Sequence, residues 1–223
     1  ENLQPIAKQV SVDLNLEGKQ ITQEVSLAPG ERKVVVFIPD VYEALVLKSP
    51  RLWWPNNYGR QELYTMDVAV AEKGVPSDSK KVRFGVRELS YELEICFPDD
   101  SIRRMEYRPT VMGQGEPVFD NINRKYIEGG MCMPRLKKNV SSDILVPAPD
   151  KAMQHYMVIK VNGKRIFCKG GNWGMDDAMK RVSREHLEPY FRLHKEANFN
   201  MIRNWTGEST EENFYELCDE YGM

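Results

Sequence analysis

Histidine is scarce in this chain. The three present, His155, His186 and His194, fall into no HExxH or comparable cluster, which removes the commonest route to a protein-held metal. Cysteine is equally sparse. Cys96, Cys132, Cys168 and Cys218 stand 36, 36 and 50 residues apart with no CxxC pair, so free thiols are expected rather than a disulfide framework. No cofactor is expected. Charge of one sign is also lacking: 31 Lys and Arg against 33 Asp and Glu give a net charge of −2 and a pI near 6.0. That balance recommends neither the phosphate backbone of nucleic acid nor an anionic membrane as partner. No apolar run approaches the roughly 20 residues of a membrane span. The first residues, ENLQPIAKQV, lack the basic start and apolar core of a signal peptide. The compartment stays unknown, with export of a longer parent left open. What is there is ordinary for a folded chain of 223 residues: 41% hydrophobic and 29% charged, enough for one large domain or two smaller ones.

From Val10 to about Glu94 the pattern is all-β. The runs VSVDLNL, TQEVSL, RKVVVFI, ALVLK, LYTMDVAVA and KKVRFGV are rich in Val and aromatics. Turn formers such as Glu17-Gly18, Pro29-Gly30, Pro39-Asp40 and Lys73-Gly74 separate them, a spacing that predicts an immunoglobulin-like β-sandwich over residues 1–94. Between 95 and 155 Pro and Gly punctuate almost every apolar run. This stretch is expected to be an irregular linker or hairpin insertion, with short strands around RRMEYRPTV and RKYIEGG.

From 156 to 223 strand and helix alternate. Asn162-Gly163 is a two-residue hairpin signal, and a strand then ends near Gly170. Ser183 offers a cap for a helix that buries Leu187, Tyr190, Phe191 and His194, with Pro189 placing the regular start closer to itself. FNMIRNW reads as a second strand. Ser209 and Glu212 offer a capping box for a second helix that buries Phe214, Leu217, Cys218 and Tyr221 and stops at Gly222. Two βα units imply parallel strands. A (β/α)8 barrel takes about 250 residues; the expectation is therefore the N-terminal part of a truncated barrel.

Ligands bind beyond the carboxyl ends of parallel strands, where loops vary while the sheet stays rigid. Two clusters qualify: Asn172, Trp173, Asp176 and Asp177 after the first strand, and Arg203, Asn204, Trp205 and Glu208 at the end of the second. A flat aromatic face with directed Asn, Asp and Arg groups suits a sugar ring. Each has a second reading. Trp173 or Trp205 fits a core, Asp176 and Asp177 fit solvated loop charges, and Glu208, Glu211 and Glu212 fit a helix N-terminus favoured by the dipole. No pair of carboxylates presents itself as acid and nucleophile, so no catalytic residue is named. LWWPNNYGRQELY, Leu52 to Tyr64, reads either as an aromatic sugar platform or as packing against a neighbouring domain, with packing preferred.

These motifs converge. LWWPNNYGRQELY followed by VRFGVRELSYE resembles the end of the immunoglobulin-like sandwich of glycoside hydrolase family 2; VNGKRIFCKGGNW resembles the start of its barrel, and NFNMIRNWTGESTEENFYELCDEYGM its second strand and helix. Gly-Gly-Asn-Trp and Arg-x-Trp are most similar to the β-mannosidase, endo-β-mannosidase and exo-β-glucosaminidase branch. The resemblance implies that Asn172, Trp173, Asp177, Arg203 and Trp205 line the pocket for a nonreducing sugar, that the partners are an oligosaccharide or glycan and the remaining barrel, and that the parent is a retaining glycosidase. Gly174-Met175 and Thr206-Gly207-Glu208-Ser209 depart from the Ile-Pro and glycine run frequent in the branch. The family's acid/base Glu after Asn and its nucleophile Glu match no position here, which implies a fragment inactive alone. The alternative is a non-catalytic β-sandwich module that binds carbohydrate or protein.

Overall fold

The computed structural model describes residues 1–112, 117–126, 132–137, 140, 144–148, 157–174 and 178–223. Its first sheet is antiparallel, in the order β2-β1-β3-β4, from β1 (Lys8–Leu16), β2 (Lys19–Leu27), β3 (Tyr64–Glu72) and β4 (Val75–Phe84). Leu14, Leu16, Ile21 and Tyr64 form its buried face. Phe37, Tyr42, Ala44, Leu45 and Leu47 cover that face from the long connection between β2 and β3. This connection corrects two expected strands. RKVVVFI pairs with no strand, and ALVLK overlaps a 3-10 turn over Glu43–Leu45. The alternation of RKVVVFI still operates, turning Phe37 inward and leaving Val34 and Val36 exposed, but among the described residues no strand lies beside it to complete a ladder.

The second sheet runs in the order β11-β10-β5-β6-β9, with β8 pairing β5 and β7 pairing β8. Its members are β5 (Leu89–Cys96), β6 (Ile102–Tyr107), β7 (Phe119–Tyr126), β8 (Cys132–Leu136), β9 (Leu145–Pro147), β10 (Val158–Val161) and β11 (Lys164–Ile166); a short helix α1 (Pro109–Met112) follows β6. The stretch expected to be irregular therefore carries strands, including the two anticipated around RRMEYRPTV and RKYIEGG. Strand pairing runs across both expected limits, 94/95 and 155/156, because β5 pairs with β6 on one side and with β10 on the other. Asn162 and Gly163 both have positive φ, 49° and 76°, and close the β10–β11 hairpin as their sequence predicts.

The two faces of this sheet differ in kind. Leu93, Ile95 and Met105 pack with Val118, Leu136 and Leu145. The opposite face carries Glu92 and Glu106, directly paired across β5 and β6 and both buried. Like charges facing each other repel unless cations intervene. The hairpin brings them: Arg165 donates to both Glu92 oxygens at 3.0 and 2.8 Å, and Lys160 Nζ lies 2.5 Å from Glu106 and 4.0 Å from Glu92. Burial acts to raise the Glu106 carboxyl, but Lys160, Ser90 and Arg108 outweigh it and hold the pKa below the usual carboxylate value.

The third unit is a two-stranded parallel sheet of β12 (Gly170–Trp173) and β13 (Met201–Asn204), joined by α2 (Arg184–Glu196) and followed by α3 (Glu212–Tyr221). Gly170 is required at the strand contact, since a Cβ there would sit 1.8 Å from the Met201 carbonyl oxygen. Trp173, Leu187, Phe191, Phe214 and Leu217 make the core between strands and helices. Two local expectations are corrected. Helix α2 begins at Arg184, capped by Ser183, and runs through Pro189; the proline falls in the second turn and forgoes the one bond its missing N–H would have given the Glu185 carbonyl. Helix α3 starts without a side-chain cap: its N-cap position falls on Glu211, two residues beyond Ser209, whose hydroxyl accepts from an indole.

Replacing Glu92 with Ala leaves Arg165 and Lys160 facing a buried site without its carboxylate. The expected cost is about 3 kcal/mol, read as a lower urea midpoint; a change under about 1 kcal/mol would show that water screens the cluster.

Candidate functional site

In a parallel pair, residues in register share a face. Asn172 is in register with Arg203, and Trp173 with Asn204. The first pair is exposed and the second faces the helices. Arg203 Nη1 donates to Asn172 Oδ1 at 3.1 Å, and its guanidinium carbon lies 4.4 Å from the centre of the Trp205 ring. Trp205 is 44% exposed. Three of the five expected sugar-contact residues thus meet on one open surface at the carboxyl ends of both strands: an amide, a guanidinium and an aromatic face already stacked with a cation.

Trp173 stands apart from them. Only 8% exposed, it packs against Tyr190, Phe191, His194 and Phe214 with ring centres 5.5 to 6.2 Å away, and its Nε1–H donates to Ser209 Oγ at 2.9 Å. Its faces are occupied by the core. Asp177, together with Asp176, lies outside the described residues.

The turn after β13 is built by Asn204, which the sequence placed in the second candidate cluster and which here serves the loop instead of the open surface. Asn204 Nδ2 donates to the Ser209 carbonyl at 2.7 Å, and the Ser209 N–H donates back to Asn204 Oδ1 at 3.2 Å. The Tyr215 hydroxyl also donates to the Ser209 carbonyl, at 3.1 Å. Inside this closed loop Thr206 has a φ of 54°, a left-handed conformation that a β-branched residue adopts only under constraint. Its hydroxyl lies 3.0 Å from Glu208 Oε1. The alternation of β13 was the available signal, since it assigns Asn204 to the face opposite Arg203. A cavity of about 290 Å³ opens beside the turn, lined by Trp173, Lys180, Val182, Leu187, Glu208 and Glu211 among others. Asn172, Arg203 and Trp205 do not line it. No group of three or more His, Cys, Asp or Glu among the described residues is arranged to hold a metal ion.

His194 lies under this site, stacked on Phe199 at 5.1 Å and edge-on to Trp173, with a buried Nδ1 that has no hydrogen-bond partner among the described residues. Burial holds its pKa below the ordinary histidine value. The unfolded chain then binds the proton more readily, so stability is full above the ordinary histidine range and falls as pH drops through it. We expect acidification through that range to lower the melting temperature of the chain, and His194→Phe to flatten this part of the profile. Ser209→Ala would leave the Trp173 N–H buried without an acceptor. A loss of about 1 to 3 kcal/mol is expected, with a shift in indole emission as the readout.

Residues 1–87 match the family model of Glycosyl hydrolases family 2. A mannosylglycoprotein endo-beta-mannosidase of Lilium longiflorum is 28% identical over 220 residues, which is 98% of this chain and 17% of the relative. An exo-beta-D-glucosaminidase of Hypocrea jecorina is 40% identical over 73 residues, 33% of this chain and 8% of the relative. Among solved structures, the exo-chitosanase of Amycolatopsis orientalis aligns with 99% of this chain and 18% of its own, with a TM-score of 0.60 at 23% identity, a likeness of fold. The chain spans less than a fifth of these proteins. Residues 1–87 thus carry the segment matched by Glycosyl hydrolases family 2, and the chain as a whole is similar to β-mannosidases and exo-β-glucosaminidases.

Proposed function

We propose that this chain is part of a retaining β-glycoside hydrolase acting on β-mannosides or β-glucosaminides, to which it contributes sugar-positioning groups and no catalytic carboxylate. The observation that supports this most directly is the exposed Asn172–Arg203–Trp205 surface, because it joins directed donors and acceptors to an aromatic face at the end of a parallel sheet where ligands bind. Asn172 and Arg203 would contact ring hydroxyls and Trp205 the apolar face of the sugar. Asp177 would add a hydroxyl contact, and Trp173 would support the surface from below. Residues 1–94 would be an immunoglobulin-like sandwich, 95–155 an insertion, and 156–223 the first part of a (β/α)8 barrel. The rest of that barrel and the glycan are then the partners. Parallel sheets are covered on both faces, and the Met201 and Arg203 side of β13 is open.

In a retaining mechanism two carboxyl groups stand about 5 to 5.5 Å apart on opposite sides of the scissile bond. Glu208 is the described carboxylate beside this surface, and it packs at Gly174 and the Thr206 hydroxyl. The purified chain is therefore expected to release no nitrophenol from nitrophenyl β-mannoside or β-glucosaminide. Millimolar methyl β-mannoside should shift the Trp205 indole and Arg203 side-chain signals in nitrogen-15 spectra. Turnover would overturn the division of labour, and unchanged signals would count against the sugar surface.

A further inference from the structure

The segment Trp53–Gln61 belongs by sequence to the first unit, between the covering connection and β3, yet several of its polar groups point to the third. The Trp53 indole N–H donates to the Asp219 carbonyl at 2.7 Å, and the Asn56 backbone N–H donates to the Gly222 carbonyl at 2.9 Å. Asn56 Nδ2 donates to the carbonyls of Lys195 and Phe199 at 3.0 and 2.9 Å. These acceptors lie at the C-terminal ends of α2 and α3 and in the chain that leads into β13. Helix ends leave their last carbonyls without intrahelical donors. One loop supplies donors to both ends.

The same loop reaches the other strand. Asn162 Nδ2, in the β10–β11 turn, donates to the Trp53 carbonyl at 3.0 Å, and the Phe167 N–H donates to the Tyr58 hydroxyl at 2.8 Å, just before β12. Lys195 Nζ lies 3.0 Å from Gln61 Oε1. The fit is close. A Cβ on Gly222 would come within 2.6 Å of the Asn56 nitrogen, and one on Gly59 within 2.6 Å of the Trp54 ring. Trp53 and Asn56 are themselves buried, with 2% and 7% exposure. The chain leading into each of the two parallel strands, together with the helix ends behind them, is thus held by nine consecutive residues, Trp53 to Gln61.

We propose that this loop is a positioning element that sets the Asn172–Arg203–Trp205 geometry from the far end of the strands. Only the importance of that geometry for sugar rests on the functional reading above. The physical basis is that a strand four residues long has little internal means of fixing its register or tilt. Its position follows from where its ends are held. Asn56 and Trp53 act through part-buried hydrogen bonds, so that removing a donor takes a bond from the Phe199 or Asp219 carbonyl, while the Lys195 carbonyl keeps the Asn198 N–H. Neither residue touches the exposed surface.

The test uses the full 223-residue chain labelled with nitrogen-15, as wild type and as Asn56→Ala, Asn56→Asp and Trp53→Phe. Asn56→Asp keeps the shape and loses both side-chain donors; Trp53→Phe keeps an aromatic filling and loses the N–H. Well below the melting temperature of each variant, the Arg203 side-chain and Trp205 indole signals should move. Amide exchange at residues 195–199 and 219–222 should rise by roughly tenfold, the loss of about one such hydrogen bond. Exchange in β1 and β3 should be unchanged. The proposal is overturned if the melting temperature falls while the Arg203 and Trp205 signals coincide with those of the wild type, which is what a role confined to stability predicts. Should Asn56→Ala fail to fold, Trp53→Phe and Tyr58→Phe make the same distinction. The sugar reading fails separately, through methyl β-mannoside leaving the wild-type signals in place.

Discussion

The hydrogen bond from the Trp53 indole to the Asp219 carbonyl links the loop before β3 to α3, across 166 residues of sequence. Burying an indole requires its single N–H to find an acceptor, and α3 ends with carbonyls that need donors. The two needs are met together. Around this contact, Arg83 pairs with Glu220 at 2.5 Å, Lys80 lies 2.9 Å from Glu212, and the Arg87 guanidinium carbon sits 4.6 Å from the centre of the Trp53 ring. The first unit is consequently joined to the third by a buried contact. Its buried tryptophan is completed by the backbone of the third unit.

The charged face of the second sheet makes a parallel connection. Glu92 and Glu106 tolerate burial because the hairpin supplies Lys160 and Arg165, and the hairpin runs directly into β12. A hairpin slipped by one residue would turn both cations to the apolar side. Burying charge in this way specifies register more surely than it adds stability.

Much of this was legible in the sequence where a local rule matched the tertiary outcome. Asn162-Gly163 required a tight hairpin, Ser183 capped α2, and the stripe Phe214, Leu217, Cys218 and Tyr221 faced the core. The misses share a cause, which is competition from distant groups. Ser209 and Glu212 satisfied the rule for a capping box, but the helix begins at Glu212 with Glu211 in the N-cap position, and the Ser209 hydroxyl serves the buried Trp173 indole. Pro189 satisfied the rule for a helix start, but Leu187 and Phe191 flank it and bury into a core with Phe214 that holds the helix across it. RKVVVFI has the pattern of a strand, yet a strand exists only where a partner backbone lies alongside. At the site, the sequence grouped Arg203 with Asn204, which alternation along β13 puts on opposite faces, and the burial of Trp173 depended on two helices whose approach no local pattern reveals.

The turn that supports Trp205 has one more consequence. Asn204-Trp205-Thr206 spells the tripeptide to which oligosaccharides are attached on asparagine in secretory compartments. Attachment takes place at the amide nitrogen, and here that nitrogen is donated to the Ser209 carbonyl at 2.7 Å and lies 3.3 Å from the Tyr215 hydroxyl. A glycan added there before folding would replace one of the two N–H groups and leave the nitrogen able to make at most one of these contacts. In the closed loop both N–H groups of that amide are engaged, so that folding and attachment at Asn204 compete for the same nitrogen.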